Sequence, residues 1–96
     1  RDLMDKRLEA IFKGHVQGIG FRFSTEHIAR RFDVKGFVQN LTNSDVRLVA
    51  EGDEEELSAF LLAIRNSDLK SGIRDFEVSW AAPTGEFPDF FVKYSE

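Results

Sequence analysis

A glycine-rich segment followed by an arginine is the part of this sequence best suited to chemistry. Three glycines lie within Gly14–Gly20, and Arg22 follows two residues later. Glycine reaches left-handed backbone conformations and lets a ligand approach the amides closely. A cation in the first turn of a helix opposes the helix dipole, so helix stability alone does not explain Arg22. A phosphate held by the amides and the guanidinium would explain it, but the spacing fits a plain connection beside a surface arginine equally well.

The residues after the glycines exclude two better-known phosphate loops. No Lys-Ser or Lys-Thr pair follows Gly20, so the segment is not a Walker A loop. Phe23 stands where the dinucleotide fingerprint needs a third glycine. The chain has no cysteine, and its two histidines, His15 and His27, lie apart in sequence, so a zinc site of the usual kind is not expected. We therefore expect neither a metal nor a cofactor.

Length and charge narrow the class of protein. The 96 residues are enough for one domain, which we place at 1–96 with residues 1–6 as a flexible N-terminal extension. Thirteen basic against 17 acidic residues give a net charge of −4, and the segment 45–51 lacks the basic-aromatic pattern of RNA-recognition motifs. A nucleic-acid partner is therefore not expected. No run of 18 apolar residues and no signal-peptide pattern is present, so we expect a cytoplasmic chain without membrane contact, and a monomer.

Hydrophobic periodicity predicts the elements that position the glycine segment. Helical spacing predicts one helix from Phe21, along an apolar stripe that reaches Phe32, and a second from Glu54 to about Asn66 capped by Asp53. Alternation predicts strands at 8–12, 34–41, 46–51, 76–80 and 90–94. The order is that of an α+β, ferredoxin-like βαββαβ sandwich. One antiparallel sheet would carry both helices on one face, with a short C-terminal strand added.

Two segments of the sequence resemble motifs of a known family. Gly14–Arg22 resembles the acylphosphatase signature G-x-V-Q-G-V-G-F-R, with Ile19 in place of the usual Val. Gly36–Val46 is similar, less specifically, to a second family motif, G-x-V-x-N-x-x-D-G-x-V. The segments Thr84–Phe87 and Phe90–Tyr94 are also similar to family C-termini. The resemblance covers residues 7–94, which is essentially the whole domain.

The resemblance implies a ferredoxin-like fold and a hydrolase that acts on a small-molecule acyl phosphate. Its products would be a carboxylate and inorganic phosphate. Inorganic phosphate would also inhibit the enzyme, and no metal or cofactor would take part. Arg22 would bind the phosphate and Asn40 would orient the attacking water. Backbone amides of the preceding loop would add phosphate donors, from His15, Val16, Gln17, Gly18, Ile19 and Gly20.

The chemistry of an acyl phosphate explains why so few side chains are needed. Its carboxylate leaving group departs without a proton, and positioning with electrostatic stabilisation supplies most of the catalysis. Asn40 is not a useful base, so a phosphate oxygen of the substrate would take the proton from water. In a split βαβ fold the first two strands are parallel, so the loop before Arg22 and the end of the strand at Asn40 would meet at one sheet edge.

Departures from the family pattern leave other interpretations open. Asn43-Ser44 replaces the usual Asp-Gly turn, and Ser44 tolerates positive φ less well, which predicts a longer or strained hairpin turn. Acylphosphatase-like domains also occur fused to a hydrogenase-maturation protein. The alternative is therefore a non-catalytic phosphate- or carbamoyl-phosphate-binding accessory domain of a larger protein. The chain ends soon after its last strand, and on that ground we expect the free-standing enzyme.

Overall fold

The predicted order of strands and helices is confirmed by the structure, a computed structural model that describes residues 5–94. Five strands and two α-helices alternate as βαββαβ with one further strand. The strands are β1 (Asp5–Gly14), β2 (Val34–Asn40), β3 (Val46–Asp53), β4 (Ile73–Ala81) and β5 (Phe90–Lys93). The helices are α1 (Phe21–Ala29) and α2 (Glu54–Arg65), and α2 is followed by a 3₁₀ turn at Asp68–Ser71.

The sheet has the order β4-β1-β3-β2-β5. The predicted antiparallel arrangement of the first four strands is confirmed, and the added C-terminal strand, whose direction was not predicted, makes the sheet mixed. The pairs β1·β4, β1·β3 and β2·β3 are antiparallel, whereas β5 runs parallel to β2. The reason is the path of the chain. β4 ends beside Arg7, at the end of the sheet where β2 begins. The connection 82–89 crosses that end, so β5 starts level with the start of β2 and runs beside it in the same direction.

The predicted flexible extension, residues 1–6, includes two residues of β1. Asp5 pairs with Asp53 and Lys6 with Gly52, so these two residues belong to the sheet and not to a flexible extension. The remainder of the predicted extension, residues 1–4, lies outside the described residues.

The helix α1 is shorter than its apolar stripe. It ends at Ala29, and Phe32 packs against Phe60 from the turn that follows, with ring centroids 5.8 Å apart.

Both helices pack on one face of the sheet, as predicted. The capping prediction for α2 is confirmed, because the Asp53 side chain accepts a hydrogen bond from the Glu55 N–H. Phe21, at the start of α1, is 2% exposed and its ring centroid lies 5.1 Å from that of Phe12. Core residues on the sheet include Leu8, Ala10, Phe12, Val34, Val38, Val46, Leu48 and Ala50, and on the helices Phe21, Ile28, Ala29, Leu57, Phe60 and Ile64.

Burial of Phe21 fixes the direction of its neighbour. With Phe21 directed into the core, Arg22 is placed on the rim of the helix N-terminus, where it is only partly buried.

Neither helix within residues 5–94 has the length and apolarity needed to cross a membrane.

Candidate active site

The glycine segment forms a loop whose backbone requires glycine at two positions. Gly18 and Gly20 have φ of 81° and 78°, in the left-handed region that other residues adopt only with strain. Gly20 is the N-cap of α1, and no side chain within residues 5–94 caps the first turn. The first helical bond runs from the Ser24 N–H to the Gly20 carbonyl, at 2.9 Å. The N–H groups of the first turn are therefore available to an anion, with the positive end of the helix dipole behind them.

A cavity of about 180 Å³ lies at this helix N-terminus. Gly18, Gly20, Arg22 and Asn40 all line it. Residues from the loop after β1, the start of α1 and the ends of β2 and β5 thus meet at one end of the sheet, as the split βαβ plan predicts. The remaining lining residues are Val16, Phe21, Phe23, Glu26, Val92 and Tyr94.

Within residues 5–94, no acidic side chain neutralises the charge of Arg22 at this cavity. Its guanidinium carbon lies 5.0 Å from the centre of the Tyr94 ring. The guanidinium forms no ion pair with a carboxylate of any described residue. Its planar set of N–H donors suits the oxygens of a phosphate.

Asn40 presents a buried acceptor to the same cavity. It ends β2 on the face that holds Val34 and Val38, where the apolar pattern placed it, and it pairs with Val46 of β3. Its Oδ1 is buried, and no described residue donates a hydrogen bond to it. A buried amide oxygen of this kind needs a donor from solvent or ligand. The arrangement can therefore hold a water molecule next to a bound anion.

Gln17 ties the loop to the β2–β3 turn. Its Nε2 donates to the carbonyl oxygens of Leu41 and Asp45, both at 2.8 Å. These two bonds cross 24 and 28 residues of sequence, and they hold the loop beside the end of β2 where Asn40 lies. The Gln17 side chain thus positions the loop, a role that local sequence patterns do not reveal.

Three residues of the predicted phosphate loop do not line the cavity. They are His15, Gln17 and Ile19. The backbone N–H of His15 donates to the Gly72 carbonyl at 2.9 Å, so in this structure it is committed within the protein. Ile19 is partly buried and packs against the core. The structure brings together Val16, Gly18, Gly20, Arg22 and Asn40 from the predicted set.

The β2–β3 turn is both longer and more strained than a two-residue hairpin, as its sequence predicts. The Leu41 N–H donates to the Asp45 carbonyl, and the Ser44 N–H donates to the Leu41 carbonyl. This pattern encloses three residues, and the last of them, Ser44, has φ of 81°. The Asn43 side chain accepts a bond of 3.0 Å from the Asp45 N–H and supports the turn. The departure from the usual Asp-Gly leaves Asn40 in place.

Sequence reasoning missed five residues that line the cavity: Phe21, Phe23, Glu26, Val92 and Tyr94. For Glu26 a signal existed, since it lies four residues after Arg22 on the same helix face. For Val92 and Tyr94 no local signal existed, because their place depends on the parallel pairing of β5 with β2.

A larger cavity, about 560 Å³, lies at the other end of the sheet and contains a buried carboxylate, Glu51. Burial by itself would raise the pKa of this carboxyl. Hydrogen bonds from the backbone N–H groups of Thr84 and Gly85, and from the side chains of Arg7 and Thr84, outweigh burial and hold the pKa below its ordinary value. Glu51 thus anchors the connection 82–89. Its carboxylate oxygens accept hydrogen bonds from Arg7, Thr84 and Gly85, whereas no described residue donates to the Asn40 Oδ1 of the smaller cavity.

The fold and the smaller cavity define a class of protein: a ferredoxin-like α+β domain in which a glycine loop, an unpaired arginine and an asparagine converge at one sheet edge. Within residues 5–94, no group of three or more His, Cys, Asp or Glu side chains is arranged to hold a metal ion.

Known proteins identify the family. The acylphosphatase family model matches residues 8–92. The acylphosphatase of Dehalococcoides mccartyi is 40% identical over 88 residues, which cover 91% of this chain and 97% of that protein. The acylphosphatase of Syntrophus aciditrophicus is 39% identical over 93 residues, 97% of each chain. The chain belongs to the acylphosphatase family, and hydrolysis of acyl phosphates is the activity that this membership supports.

Solved structures agree with the family and its fold. The crystal structure of acylphosphatase from Bacillus subtilis superposes with a TM-score of 0.85 at 29% identity, over 93% of this chain and 99% of that chain. A full-length HypF, solved in a phosphate- and nucleotide-bound form, superposes with a TM-score of 0.83 at 28% identity. The match to HypF covers 93% of this chain but only 12% of HypF. The same domain therefore occurs both as a small protein and as a part of a much larger one.

Proposed function

We propose that the cavity beside Arg22 is the active site of a metal- and cofactor-independent acylphosphatase. It cleaves the carboxyl–phosphate bond of a small acyl phosphate and yields a carboxylate and inorganic phosphate. The observation that carries the proposal is a convergence in one cavity of about 180 Å³: uncapped helix amides meet an Arg22 and an Asn40 Oδ1 that have no ion-pair or hydrogen-bond partner among residues 5–94.

The phosphoryl group sits between the loop and Arg22. Phosphoryl transfer passes through a loose transition state with charge on three outer oxygens. The amides from Gly18 into the first turn of α1, together with the guanidinium, meet those oxygens. Because these donors are fixed by the loop and the helix, they need little reorganisation when charge develops.

Asn40 holds the attacking water. Its Oδ1 accepts one hydrogen bond from the water and directs the oxygen lone pair at phosphorus. The phosphate dianion of the substrate accepts the proton, and the carboxylate leaves unprotonated, so no side chain changes its protonation state. Asn40 contributes to the rate by holding this water close to the phosphorus atom and aligned for attack.

The first experiment measures phosphate release from acetyl phosphate with and without EDTA. We expect the same rate in both, and competitive inhibition by inorganic phosphate. Activity that disappears with chelator and returns with a divalent ion contradicts the metal-independent mechanism. Absence of inhibition by phosphate far above the substrate concentration contradicts the proposed phosphate site.

The second experiment separates the two side chains. Arg22→Ala should weaken phosphate binding and turnover together, because the guanidinium contacts ground and transition states alike. Asn40→Ala should leave phosphate affinity near normal and lower kcat by about 10²- to 10³-fold, the usual effect of removing one positioned polar group. Arg30→Ala, an exposed arginine just after α1, is the matched control and should change neither. A large loss of phosphate affinity in a folded Asn40→Ala protein contradicts this division of roles.

A second candidate function is supported by the likeness to HypF. In that interpretation the chain is an accessory domain that binds phosphate or carbamoyl phosphate without hydrolysing acyl phosphates. Acetyl phosphate distinguishes the two: the enzyme releases phosphate from it, whereas the accessory domain binds phosphate with no turnover.

The proposal includes a cytoplasmic monomer. Every residue of the proposed site comes from one chain, so assembly is not needed to complete it. Size-exclusion chromatography with light scattering should give the mass of one chain, 11.0 kDa, and cell fractionation tests the location.

A further inference from the structure

Among the described residues, the Arg22 guanidinium contacts an aromatic face and pairs with no carboxylate. Tyr94 follows the end of β5, and its ring centre lies 5.0 Å from the guanidinium carbon. Tyr94 is 80% exposed, so burial of apolar area explains little of its placement. A ring face attracts a cation through its quadrupole and leaves every N–H of the guanidinium free. A carboxylate partner would occupy those donors and cancel the charge that a phosphate needs.

A carboxylate that could compete for Arg22 lies close by. Glu26 is one helical turn further along α1 and lines the same cavity as Arg22 and Tyr94. Opposite charges four residues apart on a helix commonly pair. Nevertheless, no ion pair joins them in this structure. The contact that the guanidinium makes is with the Tyr94 ring and not with the Glu26 carboxylate.

The parallel pairing of β5 with β2 places Tyr94 at the site. Lys93 pairs with Gln39, so Tyr94 follows at the level of Asn40. The strand β2, which ends at Asn40, and the strand β5, which leads to Tyr94, therefore lie side by side. A shift of β5 would move the Tyr94 ring away from the guanidinium while leaving Asn40 in place.

We propose that Tyr94 is a positioning residue: its ring holds the Arg22 guanidinium over the phosphate site and prevents it from pairing with Glu26. The proposal rests on the proposed function only in assigning Arg22 to the phosphate. Tyr94 acts through its contact with Arg22.

The test measures inorganic phosphate binding by calorimetry and KM and kcat for acetyl phosphate. An exposed cation–π contact corresponds to roughly a two- to fivefold change in an equilibrium constant. Tyr94→Ala should therefore weaken phosphate binding about two- to fivefold and raise KM by a similar factor. Tyr94→Phe keeps the ring and should recover the lost affinity, whereas Tyr94→Leu should not.

The competition with Glu26 is tested by a second substitution. In the Tyr94→Ala background, Glu26→Gln removes the competing charge and should recover most of the phosphate affinity. Glu26→Gln alone should have a much smaller effect, since Tyr94 already keeps the pair apart. Trp80→Ala, which removes an exposed aromatic ring from β4 at the other edge of the sheet, is the matched control.

The outcomes separate this inference from the proposed function. If the wild-type chain binds phosphate but hydrolyses no acyl phosphate, the proposed function is wrong and the binding series still tests Tyr94. Unchanged phosphate affinity in Tyr94→Ala overturns the inference, as does Tyr94→Phe behaving like Tyr94→Ala. If Glu26→Gln fails to recover phosphate affinity in the Tyr94→Ala background, Glu26 does not compete with phosphate for Arg22. Thermal unfolding of each variant should match that of the wild type, since the ring is exposed.

Discussion

Replacing Glu51 with glutamine tests whether a buried carboxylate anchors the connection that leads into β5. Glu51 is 7% exposed. It accepts bonds of 2.9–3.0 Å from the Thr84 and Gly85 N–H groups, one of 2.9 Å from the Thr84 hydroxyl, and one of 2.9 Å from Arg7. Glutamine has nearly the same shape but replaces one acceptor oxygen with an NH₂ donor. That group would face donors of the connection and leave Arg7 without its buried partner.

The expected loss of stability follows from these contacts. Hydrogen bonds to a charged group are each worth about 1.5–3 kcal/mol, and breaking a buried ion pair costs roughly 3–5 kcal/mol. Because the glutamine carbonyl keeps part of the acceptor capacity, we expect a loss of about 3 kcal/mol near pH 7. For a domain of this length that lowers Tm by roughly 12–24 °C.

The dependence on pH has a definite sign. The pKa of Glu51 is lower in the folded protein than its ordinary value, so the folded state favours the ionised form. Its stabilisation is complete above the unfolded pKa, about 4.3, and is lost as pH falls through the lower folded value. The glutamine variant has no carboxyl group to titrate at this position, so it lacks this contribution at every pH. The difference between the two proteins should therefore shrink as the pH is lowered below about 4.3.

Urea denaturation near pH 7 and at several values below pH 4 measures both effects. Glu86→Gln is the matched control, because its carboxylate also contacts Arg7 but is more than half exposed. We expect a change below about 1 kcal/mol for it, as for other exposed ion pairs. A loss below about 1 kcal/mol in Glu51→Gln, or a difference that stays constant down to low pH, would refute the anchoring role of this carboxylate.

Two further substitutions test features that the sequence made visible. Ser44→Gly should raise the free energy of unfolding by roughly 0.5–1 kcal/mol, because glycine relieves the positive φ of 81° at some cost in unfolded-state entropy, and urea denaturation that shows no gain would contradict strain at this turn. His15→Gln should keep most activity and the broad plateau of the rate between about pH 5 and 7, since no protein group titrates in the proposed mechanism. A loss of about 100-fold in folded protein, together with a changed pH profile, would move the base from the substrate to His15.

Local patterns were sufficient to predict much of this protein, for identifiable reasons. Burial on one face requires alternation, and that requirement marked Leu8, Ala10 and Phe12 as core residues. A helix start needs a cap, which identified Asp53. Positive φ disfavours side chains, which made Ser44 the unusual residue of its turn. Each of these constraints acts between residues that are neighbours in sequence.

The position of the site depended on contacts between residues that are far apart in sequence. Only the path of the connection 82–89 sends β5 beside β2 in parallel, and that pairing places Tyr94 against Arg22. The docking of Gln17 on the carbonyls of the β2–β3 turn likewise spans at least 24 residues. Periodicity reports which face of an element is buried but not which element covers it. The partners of Arg22, Gln17 and Glu51 were therefore decided by the tertiary structure alone.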